Sequence, residues 1–145
     1  MGEALAQHLR ALLYQHRWRV DLVIPVPLST QRLRERGYNQ AGLLAFPLAI
    51  ACRLTYSPYS LQRVHETRSQ VGLNEKERLH NVRGAFRANP HKVRGRTALI
   101  VDDVATTGAT IESCASALLE AGAVSVYGIT LARALLHRDG VDTPK

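Results

Sequence analysis

A chain of 145 residues suits one domain and falls short for two, and no apolar run in it approaches the roughly 20 residues of a membrane helix. With 46% hydrophobic and 21% charged residues it is globular in composition, and its two cysteines, Cys52 and Cys114, exclude a disulfide framework or a cysteine zinc site. The net charge of +7 is uneven: residues 1–96 carry +10 and residues 97–145 carry −3, an asymmetry that fits a polyanionic ligand held between the halves or a nucleic-acid face on the basic one.

Leu5, Leu9, Leu12, Leu13 and His16 recur at helical spacing, so residues 3–17 are predicted to form an amphipathic helix. Val20 to Ile24 reads as a buried strand, stopped by Pro25 and Pro27. Ser29 is placed to cap a helix carrying Arg32, Arg34 and Arg36, which Gly37 ends. A second apolar helical stretch covers residues 40–53, and Pro47 within it is expected to kink or divide it. A short strand is predicted around Tyr59 to Val64. Residues 65–83 are polar, charged and without period, as expected of a long loop with a task of its own.

The last third has the clearest pattern. Thr97 to Val101 is an apolar strand ending in Asp102 and Asp103. A loop of small and hydroxyl residues follows from Val104 to Ala109, then a helix over Thr110 to Ala121 with Gly122 as its stop, then a strand over Val124 to Leu131. Strand, helix and strand with short links make a βαβ unit, hence a parallel sheet with a right-handed crossover.

Ligands of open parallel sheets bind beyond the carboxyl ends of the strands, where Asp102 and Asp103 stand. The loop after them offers consecutive backbone N–H groups, the hydroxyls of Thr106, Thr107 and Thr110, and the positive end of a helix dipole. Those are the parts of a phosphate cradle, although no GxxxxGK[ST] pattern is present. Two carboxylates would repel a bare phosphate, but they accept hydrogen bonds from a ribose diol and support Mg²⁺ through water. The residues therefore read as a sugar-phosphate site. Response-regulator receivers also pair acids at a strand end, but they need a later strand-end Asp and a Lys beyond it, and only Lys145 follows here.

The run Ala98-Leu-Ile-Val-Asp-Asp-Val-Ala-Thr-Thr-Gly-Ala-Thr110 resembles the phosphoribosyl-pyrophosphate (PRPP) motif of type I phosphoribosyltransferases. Val26-Pro-Leu-Ser-Thr-Gln-Arg-Leu-Arg-Glu-Arg-Gly-Tyr-Asn-Gln40, Ser69-Gln-Val-Gly-Leu73 and Asn81-Val-Arg-Gly-Ala-Phe86 resemble segments of one branch, the competence-protein ComF family. The likeness runs in order from Val23 to Ala132. It implies a single Rossmann-like domain over residues 1–145, a three-layer α/β/α sandwich with a mobile flap over residues 65–83.

The resemblance also implies a site. Asp102 and Asp103 would hold the ribose hydroxyls and act in catalysis, and Thr106, Thr107, Gly108, Ala109 and Thr110 would surround the 5′-phosphate. Pro27, Leu28 and Ser29, with Arg32 and Arg36, would handle pyrophosphate, and Arg68 and Gln70 would be the flap's contacts. Mg²⁺ would be held through substrate and water, with no direct protein ligand. His65 and His80 flank the flap as proton carriers or as solvated histidines. The implied reaction displaces pyrophosphate from PRPP by a nitrogen nucleophile whose identity the sequence does not disclose. The alternative is a non-catalytic ComF-type protein of DNA uptake, with nucleic acid bound through the basic residues of 1–96, among them Arg32, Arg34 and Arg36. Members of that branch usually begin with a cysteine zinc module, and these 145 residues hold no such cysteine cluster. A cytoplasmic setting is expected, and oligomerisation is left open.

Overall fold

The computed structural model describes residues 2–64, 84–103 and 108–130. Helix α1 covers Gly2–His16 and strand β1 covers Leu22–Pro25, followed by helices α2 (Thr30–Arg36) and α3 (Gln40–Cys52). Two short strands, β2 (Thr55–Tyr56) and β3 (Leu61–Arg63), come next. Beyond residue 83 lie β4 (Phe86–Ala88), the short helix α4 (Pro90–Val93), β5 (Thr97–Asp102), α5 (Ala109–Glu120) and β6 (Ser125–Thr130).

Four strands form one parallel sheet in the order β2-β1-β5-β6, and β3 with β4 forms a separate antiparallel ribbon. The two central strands are buried on both faces, as parallel strands beneath helices must be. Val23, Leu99 and Val101 turn to one side, packing with Leu13 of α1 and Leu44, Ala45 and Leu48 of α3. Leu22, Ile24, Ala98 and Ile100 turn to the other, packing with Cys114 and Leu118 of α5 and with Leu61 and Phe86 of the ribbon. From the centre the chain winds outward both ways, through α3 to β2 and through α5 to β6. Two right-handed crossovers running in opposite directions require their helices on opposite faces, which is the arrangement found. The expected three-layer parallel α/β architecture is thus present.

Two prolines depart from the reading of the sequence. Pro25 does not stop β1 but is its last residue, paired with Val101. The next amide, Val26, donates to the Val101 carbonyl of β5 at 2.9 Å, so the nitrogen of Pro25 faces the β2 side, where that strand has already ended. No ladder bond is lost there. Pro47 does not divide α3, which runs unbroken over thirteen residues. The carbonyl it leaves without an amide is that of Leu43, on the exposed side of the helix with Phe46 and Ile50, where water can serve it. The strands β2 and β4 and the helix α4 were not anticipated. Among the described residues no helix is long and apolar enough to cross a membrane.

Candidate functional site

The carboxyl ends of β1 and β5 lie side by side, held in register by Pro25 against Val101. Beyond β1 the chain turns through Pro27, Leu28 and Ser29 and leaves toward β2; β5 ends on Asp102, Asp103 follows, and the chain leaves toward β6. Where connections from adjacent strands depart in opposite directions, a crevice opens between them. The acid pair and the turn after β1 are therefore brought to the same crevice.

Each wall is fixed by local hydrogen bonds. Ser29 is buried, and its hydroxyl accepts from the Arg32 amide at 3.1 Å, capping α2. Asn39 donates to the Val26 carbonyl at 3.1 Å and accepts from the Ala41 amide at 3.1 Å, so one side chain ties the exit of β1 to the start of α3. Its positioning role was missed in the sequence, though an Asn just ahead of an apolar helical run is the ordinary signal of a cap. Ser29→Ala is expected to lower stability by about 1 kcal/mol in urea denaturation, the usual contribution of such a cap. An unchanged midpoint would show that the cap contributes nothing.

Asp102 and Asp103 are both half-buried, and the Asp103 amide donates to the Asp102 Oδ1 at 2.9 Å. The Asp102 carboxyl is raised from its ordinary 3.8 to about 7. Burial is the main cause, and the neighbouring Asp103 side chain adds to it; the Asp103 amide and the charge of Arg63 act the other way. Arg63 was not among the residues singled out from the sequence. Along β3, Leu61 is buried, Gln62 exposed and Arg63 half-buried, so strand alternation points Arg63 inward, a signal the sequence does contain. Its guanidinium lies 4.7 Å from the centre of the Phe86 ring. Cys114, fully buried beneath, has its thiol pushed well above the usual range by burial, so it packs rather than reacts.

Helix α5 begins one residue earlier than expected. Gly108 is its N-cap, left-handed at φ 83°, a conformation that favours glycine. Ala109 and Thr110 form its first turn, both half-buried. Arg32 and Arg36 lie on α2, none of whose residues is buried, and neither side chain is bonded to the acid pair. Thr106, Thr107, Arg68, Gln70, His65 and His80 lie outside the described residues.

A parallel sheet covered by helices on both faces, with an acid pair at its switch point, defines a doubly wound α/β domain. The model of the phosphoribosyl transferase domain family matches residues 37–142, and the chain belongs to that family, on its ComF branch. It is 37% identical over 115 residues to the DNA utilization protein YhgH of Escherichia coli K12, covering 79% of this chain and 50% of that one. It is 37% identical over 113 residues to the competence protein ComFC of Bacillus subtilis, covering 77% and 44%. The chain thus spans about half the length of the curated relatives it matches. The fold also resembles that of adenine phosphoribosyltransferase from Thermoanaerobacter pseudethanolicus, with a TM-score of 0.60 and 18% identity over 90% of this chain and 67% of that one. Against glutamine PRPP amidotransferase of B. subtilis the TM-score is 0.57 at 23% identity, over 89% and 24%.

Proposed function

We propose that this domain binds PRPP with Mg²⁺ and transfers the phosphoribosyl group to a nitrogen acceptor. The carrying observation is the carboxylate pair at the switch point, beside the glycine-opened start of α5. In this reading Asp102 and Asp103 accept hydrogen bonds from the ribose hydroxyls, and residues Thr106 to Thr110 take the 5′-phosphate. The turn Pro27 to Ser29, with Arg32 and Arg36, faces the diphosphate, and Arg68 and Gln70 cover it. The bond from the anomeric carbon to the pyrophosphate oxygen breaks, a bond to nitrogen forms, and the nitrogen gives up a proton. Positive charge on the sugar ring and negative charge on the leaving group rise together, so fixed charges beside each lower the barrier.

The donor set fits Mg²⁺. Carboxylate oxygens are the hard donors that Mg²⁺ prefers, and the two of them would steady a hydrated ion whose other ligands come from the substrate. Bound there, Mg²⁺ would neutralise the diphosphate. Calorimetric titration with PRPP is expected to give a saturable heat that depends on Mg²⁺. Absence of heat at millimolar PRPP would remove the reading.

A second reading, a non-catalytic part in DNA handling, is favoured by the names of the relatives and by Arg32, Arg34 and Arg36, all exposed on α2. It keeps the fold and drops turnover.

A further inference from the structure

We propose that the cavity where α1 and α3 end is a second binding site, taking a nucleotide unit at the end of the sheet opposite the acid pair. Helix α1 ends just before β1 begins, and α3 just before β2, so both carboxyl ends stand at the amino ends of parallel strands. Asp102 and Asp103 stand at the carboxyl end of β5, a strand's length away, roughly 15–20 Å. The proposal does not rest on the phosphoribosyl reading.

The cavity holds about 620 Å³, and Arg10, Arg17, Arg19 and Arg53 all line it, with no acidic residue among the described residues of its wall. All four arginines are exposed, and none has an ion-pair partner among the described residues. Arg10 also lies close enough to Cys52, at the end of α3, for its charge to oppose the rise that burial imposes on the thiol. Neutralising two helix ends does not account for the cluster. Each end carries about half a negative charge, so four guanidiniums exceed both by about three charges.

Backbone conformation points the same way. Arg17 and Arg53, at φ 56° each, are the non-glycine residues with left-handed φ among the described residues. Each directly follows its helix, where glycine is ordinarily favoured and strain-free. Two helices thus end on strained arginines, and both arginines line the one cavity.

The cavity also carries aromatic rings. Trp18, in its wall, stacks on Tyr127 at 4.4 Å and on His16 at 5.4 Å, and exposed His16 ends that column. Tyr14, in the same wall, is 76% exposed. Along α1 a shallower depression lined by Gln7, Ala11 and Gln15 shares Arg10 and Tyr14 with it. Guanidiniums for phosphate, exposed rings for a base and a track leading away are the parts of a site for a nucleotide, free or within a single strand.

Trp18 is the chain's single tryptophan, so its emission reports on this cavity. A thymidine strand of about twelve nucleotides is expected to quench it, with affinity that falls steeply with salt. Arg10→Glu with Arg19→Glu should weaken that binding by at least about tenfold and reduce the salt slope by about 1.4. The matched change Lys92→Glu with Arg87→Glu, both exposed and elsewhere, should weaken it by less than about threefold at physiological salt. Thymidine monophosphate separates the sources: quenching by it at matched concentration assigns a free nucleotide, and quenching by the strand alone assigns a single strand. Absence of quenching with both ligands, or equal loss in the two double variants, would overturn the site.

Discussion

Asp102→Asn is expected to weaken PRPP binding by about tenfold to a hundredfold, and to make the unliganded protein more stable above pH 7. The loss of affinity follows from removing a charged acceptor of ribose hydrogen bonds, each worth about 1.5–3 kcal/mol. Asp103→Asn should weaken binding to a similar degree. The gain in stability follows from the environment of Asp102, whose carboxyl holds its proton to about pH 7 in the folded chain against an ordinary 3.8. Below the lower value both folded and unfolded chains are protonated, and the group favours neither. As pH rises from there to 7 the unfolded chain releases its proton while the folded chain keeps it, so folding is progressively opposed. Above 7 the full cost is present. An amide at 102 escapes it, for a gain of about 1–2 kcal/mol once solvent screening of so accessible a group is allowed for. The melting temperature at pH 8 should rise by on the order of 5 °C, with little change at pH 4. A variant less stable than the parent at pH 8 would show that the carboxylate is not held at a cost. Affinity of the parent for PRPP should itself rise with pH up to about 7, as the carboxylate becomes available.

What the sequence disclosed, and what it did not, divides by the range of the interactions. The unit from Thr97 to Thr130 was legible because its pattern is local: an apolar run, paired acids, a glycine, a helical period and a second apolar run. Strands of two and three residues, such as Thr55–Tyr56 and Phe86–Ala88, are too short to show a period and exist because a neighbour's ladder is there to receive them. Proline was read by its intrinsic cost, yet at Pro25 and Pro47 that cost depends on what faces the nitrogen and the freed carbonyl, which only the fold determines. The acid pair was recognisable by residue type, whereas the approach of Arg63 to Asp102 depends on a ribbon packed over α5. Arg10, Arg17, Arg19 and Arg53 counted in the sequence only toward a basic front half, and two helix ends had to meet before they became a cluster.

Gly128→Ala is expected to destabilise the protein and, through the helix beside it, to loosen the proposed phosphate site. Gly128 lies in β6 opposite Ile100, and a Cβ built there would stand 2.7 Å from the Ile111 Cγ2. Atoms do not approach so closely, so α5 must shift or its side chain must leave its rotamer, at about 1–3 kcal/mol. Ile111 is in the first turn of α5, one residue beyond Thr110. A shift that relieves the clash therefore moves the amides and hydroxyl offered to the 5′-phosphate. Misplacing such a group by about 1 Å can cost on the order of a hundredfold in productive contact, so PRPP affinity should fall by at least about tenfold. The alternative, general damage to the core, is separated by the double variant Gly128→Ala with Ile111→Ala. That pair keeps the added Cβ but removes the Ile111 Cγ2 it would strike, so the double variant should be more stable than the sum of the single changes predicts by about 1–2 kcal/mol, with PRPP affinity recovering. Additive losses would show that the closeness of β6 to α5 does not set the position of the site.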